Sequence, residues 1–313
     1  MDPRDQTKTG ALSEDATGKE SVSRLNWLRT LKNDRLAGFA FFFLVALVLV
    51  AVFAGFYPYD PLEQELAARN LPPSLSTDTR GGFPHLLGTD QLGRDLVSRL
   101  ISASRVSVSV GLISVSVSFT IGVTLGTVAG FVRGWFEQLV MRTVDVFQSI
   151  PGLLIALFVL FVVGGGFLNI ILIFALTRWV LFARVSRSLA LGIRETEFVE
   201  AARSIGCSTS TIIRRHVLPN LISPLLVLAT LEIAVVILAE AGLSFLGFGI
   251  KPPQASWGLM ISSGREYLAS AWWLVTFPGL MIFLTTLSLN LVASWIRGIT
   301  DPLHKWRWLD GLE

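Results

Sequence analysis

Residues 36–56 and 106–132 carry no charged side chain, and residues 267–296 form a third run without one. A helix needs about 20 apolar residues to cross the hydrocarbon of a bilayer, and runs of this length exceed what a water-soluble core can hide. Three further segments fit the same requirement: residues 146–163, 167–183 and 221–246. Arg178 interrupts the second of these, and Glu232 and Glu240 lie within the third. The expected fold is therefore an all-α membrane protein with six transmembrane helices. Composition agrees: 52% of the 313 residues are hydrophobic and only 16% are charged, too few to coat a soluble domain of this size.

Two of the runs have internal detail. Val106, Ser107, Val108, Ser109 and Val110 alternate as a strand would, but the length of the run and its helical neighbours select a helix. The same run holds Gly122, Gly126 and Gly130, a doubled G-x-x-x-G that lets two helix backbones approach closely. Pro151, near the start of the run at 146–163, is expected to kink it.

Charge placement gives the orientation. Arg24, Arg29, Lys32 and Arg35 precede the first run, which puts the N-terminus in the cytoplasm. Residues 184–220 carry six arginines against three glutamates, whereas the turn at 164–166 carries no charge. The loop at 57–100 mixes Asp60, Glu63, Glu65, Asp78, Asp90 and Asp95 with Arg69, Arg80, Arg94 and Arg99, and is expected outside. Both termini are then cytoplasmic. Residues 1–33 read as a polar cytoplasmic tail, mobile over about the first 23, and 34–313 as the transmembrane domain. No cleavable signal peptide is expected, because the first apolar run begins too late for one. The single cysteine, Cys207, excludes an internal disulfide, and the three histidines form no metal-ligand cluster in the sequence.

The segment at 194–219 is expected to carry the mechanism. Phe198, Ala201, Ala202 and Ile205 recur at helical spacing and predict one apolar face of a short helix. Gly206 ends that helix, Ser208 caps a second one with Ile212, Ile213, His216 and Val217, and Pro219 opens the next span. Residues alone leave two readings open: an elbow that meets a partner, or an amphipathic hairpin resting on lipid headgroups.

The spacing of Glu200, Ala201 and Ala202, then Gly206, then Leu218 and Pro219 resembles the EAA loop of ABC importer permeases. Residues 85–99 (H-L-L-G-T-D-Q-L-G-R-D-L-V-S-R), 243–258 (L-S-F-L-G-F-G-I-K-P-P-Q-A-S-W-G) and 271–279 (A-W-W-L-V-T-F-P-G) narrow the resemblance. They look like the C-type transmembrane subunits of the dipeptide, oligopeptide and nickel importers, most of all the dipeptide permeases. The resemblance implies a type I ABC importer transmembrane domain in a bacterial cytoplasmic membrane, translocating dipeptides or short oligopeptides. It implies that Glu200, Ala201, Ala202, Gly206, Leu218 and Pro219 couple the spans to an ATPase. The implied partners are a second, B-type permease subunit, two ATP-binding subunits, an extracytoplasmic peptide-binding protein and membrane lipid, with no nucleic acid. Asn290, Leu291, Arg297, Asp301 and Pro302 fit the family's C-terminal pattern, while Ala293, Ser294 and Gly298 replace its glycine and two acidic residues.

This chain is expected to have no cofactor and no catalytic activity of its own; ATP and magnesium belong to the partner subunits. The single Gly18-Lys19 pair is followed by Glu20 and has Ser13 at the first glycine position, so it is no phosphate-binding loop. An ion-coupled secondary transporter is the alternative, and it predicts coupling carboxylates and broken helices at mid-membrane. A more distant one is an intramembrane enzyme using Ser244, which needs a base within reach, and His85, His216 and His304 all fall outside the spans.

Glu232 and Glu240 are candidate pathway or gate residues, because buried charges in a membrane usually face a partner or a watery path. A structural hydrogen bond is the alternative for each, and Glu240 could also sit at the outer interface. Arg178 is expected in the cytoplasmic half, away from them. Asp145 is expected beside Arg142 at the inner interface. Trp257, Trp272 and Trp273 are expected as belt residues at the outer end of the sixth span, and His216 as an ordinary loop residue.

Overall fold

The computed structural model describes residues 31, 34–53, 59–74 and 84–300. The N-terminal tail with Arg24, Arg29 and Lys32, the loop residues Asp78 and Arg80, and Asp301, Pro302 and His304 lie outside the described residues.

The helices in chain order are α1 (Arg35–Val52), α2 (Leu96–Val132), α3 (Trp135–Gln148), α4 (Gly152–Val163) and α5 (Phe167–Arg194). Then come α6 (Glu197–Ser204), α7 (Thr209–Ile212), α8 (Leu218–Phe245), α9 (Trp257–Gly264) and α10 (Trp273–Thr300). Five of the helical stretches are long and apolar enough to cross a membrane alone: α1, α2, α5, α10 and the continuous run Thr209–Phe245. The sixth crossing is the pair α3 and α4, bent by 79°. The bend is sharper than the kink expected at Pro151. Residues 149–151 leave the helix altogether, and α4 is only 12 residues long, about 18 Å at 1.5 Å per residue.

The V-S-V-S run is helical throughout, inside the 37-residue α2. Its glycines do what their spacing suggests. A Cβ at Gly122 would strike the Trp179 carbonyl oxygen, one at Gly126 the Ala183 carbonyl oxygen, and one at Gly130 would come within 2.6 Å of the Arg187 carbonyl oxygen. Every fourth position from Gly122 to Gly130 is thus cut away to admit the backbone of α5. Hydroxyls line the seam: Ser118 Oγ, which donates to the Ser114 carbonyl of its own helix at 2.8 Å, lies 3.4 and 3.3 Å from the Phe174 and Ala175 carbonyls, and Ser186 Oγ, which donates to the Phe182 carbonyl at 2.6 Å, lies 3.3 Å from the Gly122 carbonyl. In lipid, helix association rests on such close packing and hydrogen bonding, because hydrocarbon tails are as apolar as leucine.

The centre of the molecule is α8, which touches α2, α5, α9 and α10. Val110, Phe182, Leu221, Leu225 and Val236 are fully buried or nearly so around it. On the outside of this core lies α1, against α2 and α10. Asp34 caps its start, accepting from the amides of Leu36 and Ala37 at 3.1 and 3.0 Å. Arg105 of α2 holds its other end, donating from Nε to the Ala51 carbonyl and from Nη2 to the Val52 carbonyl at 2.8 Å. These are the carbonyls a helix C-terminus leaves unsatisfied.

The segment before α2 folds back on the helix ends beside the start of α2. Asp90 accepts from Arg94 and Arg99 at 2.7 and 2.8 Å, and Asp95 caps α2 through the Ser98 amide while meeting His85 Nδ1 at 3.0 Å. Two of the three expected belt tryptophans belong to this packing. Trp257 is 0% exposed and Trp273 is 5% exposed, its indole N–H donating to the Thr89 carbonyl, while Trp272 alone stands open at 52%. Amphipathic rings near a helix end serve as wedges or as belts, and composition does not distinguish the two.

Candidate functional site

The segment between α5 and α8 forms an elbow. Thr196 starts α6 in extended backbone, and Glu197 and Glu200 fall in the first turn, where a helix dipole favours acids. The helix ends in a reciprocal pair of bonds: Gly206 N–H to the Arg203 carbonyl at 2.9 Å and Cys207 N–H to the Ala202 carbonyl at 3.0 Å. This arrangement puts Gly206 in the left-handed region, with φ of +83°, where glycine alone is unstrained. A Cβ there would meet nothing within 4 Å, so the glycine is required by conformation and not by space. Ser208 Oγ then accepts from the Thr211 amide at 3.3 Å and starts α7. A π-helical turn, Ile213–Val217, joins α7 to α8 without a break, so Pro219 lies inside a continuous rod instead of opening a new one.

The expected apolar face of α6 divides in two. Ala202, at 7% exposure, turns inward, together with Val199 at 0%, into the cluster that holds Phe131, Ile212 and Val217. Phe198 and Ile205 stay 45% and 81% exposed, and Ala201 and Glu200 are exposed beside them. Val199 is the anchor the spacing argument passed over; it sits three positions before Ala202, and one buried pair is enough to seat two turns. Phe198, Ala201 and Ile205 therefore make an apolar strip that the described residues leave exposed, with only His216 beside Phe198. Of the other motif residues, Gly206 and Pro219 are exposed and Leu218 is half-buried.

The elbow is braced from both sides. The Arg203 guanidinium lies over the Phe131 ring, 5.2 Å from its centroid, and Arg133 bonds Glu195 at 2.7 Å. Both contacts join the elbow to the C-terminal end of α2. Next to it, α3 is fastened to α5 by Arg187 Nε to Glu137 at 2.7 Å and by Arg184 to Asp145 at 2.6 Å. Asp145 thus pairs across to α5 and not with Arg142 on its own helix. His216 stacks loosely on Phe198, with centroids 6.2 Å apart.

The two intramembrane glutamates have different settings. Glu240 is 0% exposed and its carboxylate is hydrogen-bonded on both sides, by Ser244 at 2.6 Å and more weakly by Ser107 at 3.5 Å. Those serines in turn accept backbone N–H groups, Ser244 from Ile250 and Ser107 from Trp257, each at 3.2 Å. Ser256 lies 3.4 Å from Ser244 and caps α9 through the Leu259 amide at 3.2 Å. The carboxylate is the hub of a structural knot joining α2, α8 and α9. Its neighbour Ser244 has a carboxylate and no imidazole as partner, unlike a base-activated nucleophile. Glu232 sits within 3.6 Å of Arg178 across α5 and α8, the pairing that the expected depth of Arg178 argued against.

Comparison with known proteins bears on all of this. The model of the family described as "Binding-protein-dependent transport system inner membrane component" matches residues 122–305, and that described as "N-terminal TM domain of oligopeptide transport permease C" matches residues 25–73. The chain is 39% identical to the di/tripeptide transport system permease protein DppC of Pseudomonas aeruginosa (strain UCBPP-PA14), over 84% of this chain and 86% of that one. It is 34% identical to the probable D,D-dipeptide transport system permease protein DdpC of Escherichia coli (strain K12), over 94% and 96%. The dipeptide transport system permease protein DppC of Bacillus subtilis (strain 168) is 37% identical, over 88% and 84%. Among solved structures, an inward-facing MetNI methionine ABC transporter chain superposes with a TM-score of 0.54 and 20% identity, covering 66% of this chain and 98% of its own. That likeness carries the fold.

Proposed function

Because this chain belongs to the family of binding-protein-dependent transport system inner membrane components, as a transmembrane permease subunit of an ATP-driven ABC importer, we propose that its cargo is short peptides and that the α6 elbow is the joint through which an ATPase moves it. The peptide assignment draws on relatives whose printed functions are dipeptide and tripeptide transport. The ion-coupled alternative draws no support from them. The observation that carries the coupling role is the uncovered strip of Phe198, Ala201 and Ile205 on an elbow braced to α2 and continuous with α8. A strip of this kind, beside exposed Glu200, is shaped to be gripped by a protein cleft. On ATP binding the ATPase pair closes, the elbow moves with it, and α8, α2 and α5 tilt as a packed group to alternate access.

In this reading the chain lies in the bacterial cytoplasmic membrane with both termini and the elbow in the cytoplasm. It works with a second, B-type permease, two ATP-binding subunits that hold ATP and magnesium, and an extracytoplasmic peptide-binding protein. Glu200 contacts the ATPase, Ala201 allows its close approach, Ala202 and Leu218 seat the elbow on the spans, Gly206 sets its turn, and Pro219 lies in the rod that carries its motion into α8. Two measurements test this. Radiolabelled dipeptide uptake is expected in cells with the gene and lost in cells without it. Ala201→Cys, made with Cys207→Ser, is expected to crosslink to an ATP-hydrolysing subunit in active membranes; capture of lipid alone would return the elbow to the headgroup reading.

A further inference from the structure

Arg178 lies eleven residues into α5 and Glu232 fourteen residues past Leu218 in α8, about 16 Å and about 21 Å along their helices at 1.5 Å per residue. Against a hydrocarbon core of about 30 Å, both stand near mid-membrane. Two features separate them from the other ion pairs, and a third sets the two partners apart. They meet at 3.6 Å, whereas Arg184–Asp145 closes to 2.6 Å and Arg94–Asp90 to 2.7 Å. Glu232 Oε2 is buried and accepts no hydrogen bond from the described residues. The Arg178 side chain is 30% exposed, against 9% for that of Glu232. A guanidinium with an open flank at this depth is too costly to face hydrocarbon, so its open side faces water or a neighbouring protein. Glu240 offers the contrast, since its serines already meet its carboxylate and it is closed on every side.

We propose that Arg178 and Glu232 form a subsite on the translocation path for the two charged ends of a short zwitterionic peptide. The inference rests on the peptide reading above. Arg178 takes the peptide carboxylate with its planar fork, and the unfilled Glu232 oxygen takes the peptide ammonium. The ends of an extended dipeptide are about 7 Å apart, so cargo must part the two side chains and lie between them. Without cargo the charges neutralise each other. With cargo each exchanges one partner for another of the same sign, so a desolvated zwitterion can pass mid-membrane without leaving a bare charge there. The exchange also keeps binding weak, as a site that must release its cargo requires.

The test uses the complete importer in proteoliposomes, isolated through its ATPase subunits so that assembly is measured in the same sample, with dialanine as the probe. Replacing a buried ion pair with apolar side chains is commonly tolerated by a fold. A purely structural pair therefore predicts full uptake from the double variant Arg178→Met with Glu232→Leu. The subsite predicts a complex of normal stoichiometry whose dialanine uptake falls about ten-fold or more, the loss of roughly one strong polar contact. Arg178→Lys keeps the charge and loses the fork, and is expected to restore part of that uptake. Wild-type rates from the assembled double variant, or from Arg178→Lys, would overturn the proposal while leaving the peptide reading intact. A wild-type complex that accumulates no dialanine with ATP would instead sink the peptide reading beneath it.

Discussion

At the scale of single residues, two kinds of glycine do different work. Gly206 is needed for its φ of +83° and not for space, so a β-branched side chain there strains the backbone without a collision. The cost is about 1–2 kcal/mol, borne by the turn that aims the elbow. Gly206→Val is expected to insert and fold but to transport poorly, while full uptake by Gly206→Trp would count heavily against the coupling role. Gly126 is the opposite case: its φ is helical, and a larger side chain runs into the Ala183 backbone and Ser186 Oγ. Gly126→Leu is expected to lower the thermal unfolding midpoint of the detergent-solubilised protein by several degrees, since overpacking costs about 1–3 kcal/mol. Both glycines were legible from spacing, one two positions before a serine cap and one inside a G-x-x-x-G. Val199 was not, because in an eight-residue helix the apolar positions leave the buried direction undecided, and only the neighbouring Phe131 and Val217 decide it.

At the scale of elements, the segment from Leu246 to α9 is tied down by one carboxylate. Three backbone amides, those of Ile250, Trp257 and Leu259, end on three serines, two of which donate to Glu240. Glu240→Leu strands those hydroxyls in a dry interior, where each unmade bond costs about 1–3 kcal/mol. Amide hydrogen exchange at those three positions is expected to quicken about ten-fold or more, whereas unchanged exchange would show that packing of Gly249 and Gly258 alone holds the segment. Sequence could place an acid within α8 but could not supply its partners, which come from positions 107, 244 and 256. The same limit explains the bend between α3 and α4. Proline marks where a helix is weak, while the ion pairs Glu137–Arg187 and Asp145–Arg184 fix the direction in which it yields.

At the scale of the whole molecule, hydropathy was sufficient for the number of crossings, and charge placement for an orientation that labelling can test. With Cys207→Ser as background, Lys251→Cys is expected to react with an impermeant maleimide in intact spheroplasts, and Glu195→Cys only after lysis. The reverse pattern would turn the protein over. Pathway geometry was not legible, since it depends on which helices meet across the membrane and not on the content of any one run. Arg178 and Glu232 lie 54 positions apart and meet only because α5 and α8 pack together. The bare strip on α6 has a further consequence. Phe198 and Ile205 are 45% and 81% exposed, and in the proposed arrangement they meet water until another protein covers them. A copy synthesised without that cover displays the kind of greasy lesion that cellular proteases survey, so the steady level of this subunit should follow the supply of its mate and not the strength of its own promoter.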